Sequence, residues 1–274
     1  MNKKVKLISS YILLFIESII FCLLILCIIF NRTFLNKDYV LKTVESANSY
    51  KTLFDSIKTE MSYYTEQSGF EDDILDGTFT LEEVTIEFNK FVNSVYDNTD
   101  IKIDSSVFKE RLNDKIDKYI EKNNFEIINE EEINKFVDKL AEIYENKIKI
   151  NGVPNYIKNT IQKINIKINK AIIILSISLV LLVLINMFIF KRKDLAIIFY
   201  FTSFFLIIMN IYIKNVIDLK NLFIYNQVIT DPVNLIIDDV LLLFLLMSLV
   251  SFLIGIILSI IQKDKIVKNR INTK

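Results

Sequence analysis

The 274-residue chain has no histidine and no tryptophan, and it holds only two cysteines, four glycines and two prolines. Each scarcity excludes something. Without histidine there is no Ser-His-Asp triad, no Cys-His pair and no imidazole ligand for a metal. Cys22 and Cys27 both fall inside one apolar run, so they cannot build a disulfide framework outside the membrane. With so little glycine and proline there is no flexible stalk, and no repeat or low-complexity linker appears. Lys and Arg together equal Asp and Glu at 33 each, and a net charge of zero makes no case for a nucleic-acid partner. The abundance of Ile, Lys and Asn fits an AT-rich coding sequence of the low-GC Gram-positive bacterial kind, and carries no information about fold.

What the chain does have is four long apolar runs, with nearly all its charge between them. A bilayer core needs about 20 apolar residues in helical form, because lipid offers backbone groups no hydrogen-bond partners. Ile8–Phe30, Ala171–Phe190, Leu195–Ile213 and Val240–Ile261 meet that length. The first run follows Lys3, Lys4 and Lys6 but is too long for a cleaved signal peptide and lacks a small-x-small cleavage site, so it reads as an uncleaved anchor.

Basic residues set the orientation. Lys3, Lys4 and Lys6, the turn Lys191-Arg192-Lys193-Asp194, and the tail with Lys263, Lys265, Lys268, Arg270 and Lys274 share one side, read as cytoplasmic. The loop 214–239 carries Lys214 and Lys220 against Asp218, Asp231, Asp238 and Asp239, and is read as outer. The expected order is a short tail and first span at 1–30, an extracytoplasmic domain at 31–169, three spans at 170–262, and a cytoplasmic basic tail at 263–274. The host membrane is expected to be the plasma membrane, with both termini inside.

The 31–169 segment reads as helices throughout. Val40, Val44, Ala47, Phe54, Ile57, Met61 and Tyr64 recur every three or four positions, closed by Gly69, and predict one helix. Thr80-Leu81-Glu82-Glu83 is a capping box ahead of the stripe Val84, Phe88, Phe91, Val92 and Val95. A third helix is predicted from Asp104–Ser106, and a fourth from Asn129, ending at Gly152. From Pro154 onward a single helix of about 36 residues, roughly 54 Å long, is predicted to run into the second span. Asp231-Pro232 reads as the cap and first turn of the last helix. The fold class is therefore all-α, with four transmembrane helices and a helical domain inserted between the first and second.

Few residues stand out as candidate sites. Glu17 is the one ionisable residue deep in a span, where a charge costs at least about 2.5 kcal/mol. Such a group faces the bundle, and Asn186, Asn210, Ser248 and Ser251 are its available partners. It serves as a neutral packing group, in a proton- or ion-linked role, or in recruiting a partner subunit. Ser251, Gly255 and Ser259 form a small-xxx-small face for close helix approach, within the bundle or between copies. The stretch 72–83 has part of an EF-hand pattern, with Asp72, Asp76, Gly77, Phe79 and Glu83 in place but Ile74 where an oxygen ligand is needed. A glycine turn followed by the Thr80 cap accounts for the same residues. No metal and no cofactor is expected.

The order of one span, a large outer segment, two spans joined by a tight turn, a small outer loop and a last span is similar to the topology of cell-division and macrolide-exporter ABC permeases. That likeness implies a transport component, yet the four-residue turn at 191–194 leaves no cytoplasmic element to meet an ATPase. The primary expectation is a non-enzymatic sensor, scaffold or accessory subunit. Its partners are the lipid bilayer and a protein bound through the outer domain or the fourth span, or a second copy.

Overall fold

The computed structural model describes residues 3–123, 130–150, 155–190, 195–216 and 226–271. Among them the chain forms helices and no strand. Four helices are long and apolar enough to cross a membrane. These are α1 (Lys3–Arg32), α7 (Asn155–Ile185, continued by a π-helical turn at Asn186–Phe190), α8 (Ala196–Val216) and α9 (Gln227–Ile271). Between α1 and α7 lie α2 (Lys37–Ser46), α3 (Ser49–Gln67), a 3-10 turn (Asp72–Leu75), α4 (Leu81–Asp97), α5 (Ser106–Asn123) and α6 (Glu130–Ile148).

The chain divides into two compact units. One, here the membrane unit, takes in the described residues of Met1–Asn36, Ile164–Leu222 and Asn234–Lys274. The other, the helical domain, takes in those of Lys37–Lys163 and Phe223–Val233. The boundary therefore falls inside α7 and inside α9.

The helical domain is built on stripes at helical spacing. Leu53, Ile57 and Met61 of α3, the Val84–Val95 stripe of α4, Phe108, Leu112 and Ile116 of α5, and Phe136, Leu140, Tyr144 and Ile148 of α6 are all buried in one core. Rings interlock at its centre: Phe108 stacks on Tyr144 at 5.5 Å, and Phe79 meets both edge-on. Burying aromatic area of this kind is the largest favourable term such a small domain has. The same burial pushes the phenols of Tyr96 and Tyr144 up, Tyr96 to about 12. The Thr80 capping box forms as the sequence predicts. Thr80 Oγ1 accepts from Glu83 N at 3.2 Å, and Glu83 Oε2 accepts from Thr80 N at 2.9 Å.

The structure departs from the sequence reading at two places. The single helix predicted from Asp38 to Gly69 is two, broken at Asn48, whose φ of 55° lies in the left-handed region. Asparagine tolerates that region better than most residues, so the chain turns there without glycine. Gly69 does close the second helix, with φ 81°. At the fourth span, helix begins at Gln227, so Pro232 sits inside α9 rather than in its first turn. Asn226 supplies the cap instead, its Oδ1 accepting from Val228 N at 3.0 Å, and Val228 is buried in the helical domain's core. Ile164, Ile166 and Ile168, whose alternation would also suit a strand, lie within α7, in keeping with the long helix that the sequence predicts. The predicted turn at 191–194, the stop at Gly152 and the start at Asn129 lie outside the described residues.

In the membrane unit α1 packs along α8 and against the π turn. Cys22, Ile25 and Ile29 of α1, Leu206 of α8 and Phe244 of α9 form its apolar centre. Both cysteines are free thiols.

Candidate functional site

Glu17 lies at the midpoint of α1, about 21 Å from either end at 1.5 Å per residue. The face that buries it repeats every three or four residues: Ser10, Leu14, Glu17, Ser18, Cys22, Ile25 and Ile29 are all buried. Glu17 itself is fully buried at 0% exposure. Of the four partners the sequence offers, the structure brings Asn186 to it. Asn186 Nδ2 donates toward both carboxyl oxygens, at 3.4 Å each. On the other side of the amide, Ser10 Oγ donates to Asn186 Oδ1 at 3.3 Å. Ser10, Asn186 and Glu17 thus form a buried polar chain, with Ser10 seven residues before Glu17 on the same face of α1.

Asn186 opens the π turn. A π turn inserts one extra residue per turn and rotates the side chains after it, and such turns occur disproportionately at functional sites. Here it lies at the end of α7, at the point where that helix meets α1.

Other polar groups join the helices of this unit. Ser18 Oγ donates to Leu14 O at 2.7 Å, while Thr202 Oγ1 of α8 donates to Ser18 O at 3.2 Å. Ser203 and Ser248 share a hydroxyl contact of 2.9 Å between α8 and α9. Asn210 Nδ2 donates to Leu241 O at 2.6 Å, a bond between α8 and α9 that leaves it no part in the Glu17 site. At the opposite end of α1, Asn31 Nδ2 donates to Asn169 Oδ1 at 2.9 Å. Bonds of this sort are worth about 0.6 kcal/mol each on average in membrane proteins. Thr202, Ser203 and Tyr200 are partners that sequence reasoning passed over. Hydroxyls in apolar runs are common, and no spacing marks the ones that face a neighbouring helix.

The small-residue face of α9 is filled from within the chain. A Cβ on Gly255 would stand 2.8 Å from Cε1 of Tyr200, and the Tyr200 hydroxyl reaches Ser259 Oγ at 3.1 Å. Ser251 is buried on the same face.

No match emerges. Against protein-family models, curated proteins and solved structures alike, the chain has no counterpart that passes as similar. Function is therefore read from geometry alone.

Of the EF-hand-like carboxylates in the helical domain, Asp76 and Glu83 are engaged in other contacts, and the Asp72 side chain lies outside those described. Glu83 Oε2 accepts from Arg111 Nη1 at 3.0 Å as well as from Thr80 N, and Glu83 Oε1 lies 2.8 Å from Arg111 Nη2. Burial pushes the Glu83 carboxyl up, but the bonds from Arg111 and Thr80 outweigh it and hold it below the usual carboxylate range. Asp76 pairs with Lys58 at 3.3 Å. Among the described residues no group of three His, Cys, Asp or Glu side chains is placed to hold a metal ion.

Among the described residues of this domain the most exposed large apolar or aromatic side chain is a tyrosine, ahead of Ile86, Val107 and Leu81. Tyr63 of α3 is 65% exposed. It borders two shallow, solvent-open grooves, one lined by Glu60, Tyr64, Gln67, Lys139 and Glu142, the other by Asp55, Lys58, Ser62 and Glu66. Lys147 closes the α3–α6 seam nearby with a 2.5 Å bond to Glu60.

Proposed function

We propose that the chain is a multi-pass plasma-membrane protein whose helical domain, held outside, binds a protein partner. It would act as a non-enzymatic sensor, scaffold or accessory subunit, with both termini and the 191–194 turn in the cytoplasm. The observation that carries the reading is Tyr63 on the α3–α6 face. An exposed tyrosine is a side chain enriched at protein-binding surfaces, where it supplies contact area at little entropic cost, and the charged groove walls around it suit the polar rim of such a surface. The orientation rests on the placement of Lys and Arg around the spans.

Two measurements test it. In a chain with Cys22 and Cys27 replaced by alanine, a cysteine at position 63 should react with a membrane-impermeant maleimide on intact cells. Labelling only after lysis would put the domain inside. Tyr63→Asp should abolish co-purification of a partner from solubilised membranes while leaving the circular dichroism unchanged. Isolation of the wild-type chain alone, or retention of the partner by the variant, would defeat the partner reading. A second reading, a transport component, is favoured by the buried polar chain at Glu17 and lacks a cytoplasmic coupling element.

A further inference from the structure

We propose that Glu17 is a proton-binding site in the middle of the membrane unit, carrying its proton at neutral pH and bonding Asn186 as a neutral acid. This inference does not depend on the partner-binding reading.

It starts from what surrounds the carboxyl group. An ionised carboxylate offers about four lone-pair sites. Glu17 is fully buried, and its hydrogen bonding in the structure comes from a single amide nitrogen shared at 3.4 Å between both oxygens. Among the described residues no Lys or Arg is paired with it. On its own helix, Lys6 lies eleven residues away and Arg32 fifteen, about 16 and 22 Å along the axis. On α8 the nearest polar neighbour, Thr202, spends its proton on Ser18 O, and Lys214 is twelve residues, about 18 Å, farther along. On α7 the lysines Lys158, Lys163, Lys167 and Lys170 lie at the far end from Asn186, while Lys191, Arg192 and Lys193 follow Asn186 by five to seven residues and lie outside the described residues. An anion here would be a buried charge with one weak donor, which is the costliest arrangement a low-dielectric interior allows.

A proton resolves this with the groups already present. The protonated oxygen donates to Asn186 Oδ1 after rotation of the amide about its last side-chain bond. The other carboxyl oxygen still accepts from Nδ2, giving a paired acid–amide contact. Ser10 Oγ remains within reach of the same amide. A bare metal cation is less well served. The same rotation would offer it one amide oxygen beside the carboxyl group, but the Ser18 and Thr202 hydroxyls and the Leu14 and Ser18 carbonyls are engaged with one another.

The test is infrared difference spectroscopy of the full-length protein in lipid at neutral pH, comparing the wild type with Glu17→Gln. Surface carboxylates are ionised under these conditions and do not contribute to the carboxylic-acid carbonyl region. The expected result is one carboxylic-acid carbonyl band, present in the wild type, shifted by deuterium exchange, and missing from the variant. Loss of a carboxylate band with no change in the acid region would overturn the proposal. So would an acid band that disappears when sodium replaces a large organic cation in the buffer, because the site would then belong to the metal. If Glu17→Gln does not fold, Asn186→Leu supplies the second readout. Removing the amide should move the acid band to higher frequency, and an unmoved band would show that Asn186 is not its partner.

Discussion

At the scale of single residues, two positions in the membrane unit carry the most information. Glu17 was legible in the sequence because an ionisable side chain in an apolar run has few tolerable explanations. Its partner was not, because four polar residues on other spans were equally available and only the packing selects Asn186. Gly255 is the complementary case. The spacing of Ser251, Gly255 and Ser259 announced a close approach, and the structure supplies Tyr200 as the group that makes it. Gly255→Val should therefore cost about 1–3 kcal/mol through overpacking. Thermal unfolding in detergent would show it, and the cost should shrink when Tyr200→Ala is added. Equal costs in the two backgrounds would mean that Tyr200 is not what the new side chain strikes.

At the scale of elements, stripes were easy to read and breaks were not. The α4 stripe and its capping box stand in the structure as the sequence set them out, because a 3.6-residue period and a Thr-x-x-Glu cap are local signals. The break between α2 and α3 is carried by Asn48 in the left-handed region, and an asparagine in sequence looks the same in a helix or out of it. Pro232 misled for a related reason: a proline after Asp fits a first turn, while the stronger cap at Asn226 lies six residues upstream. The α4 cap gives two expectations. Thr80→Ala should cost about 1 kcal/mol, measured by thermal unfolding; no loss would mean the cap is not holding the helix. The Glu83 carboxyl is lowered in the fold, so its stabilisation is full above the unfolded value and disappears as pH falls through the folded one. The wild type should thus be more stable than Glu83→Gln at neutral pH and converge with it in acid, below about pH 4. A gap independent of pH would contradict the ionised Arg111–Glu83 pairing.

At the scale of the whole molecule, four membrane-length helices and a helical insertion were legible from composition and length alone. The division between the units was less so. A stretch between the third and fourth apolar runs joins the helical domain, and Val228 of α9 lies within its core. Val228→Asp should accordingly speed amide hydrogen exchange across α3 and α6, though neither helix is its neighbour in sequence. Unchanged protection there would show that the first turn of α9 is dispensable to that core.

That sharing has a bearing on how such a protein can change over generations. A domain joined to its host by loops can be lost, duplicated or moved by a single recombination. This one meets the rest of the chain four times, and two of the junctions fall in mid-helix. Any exchange that moved residues 31–169 alone would leave a hole where Val228 belongs. Its sequence is therefore bound to drift together with the spans that enter it, and the two units should be inherited as one piece.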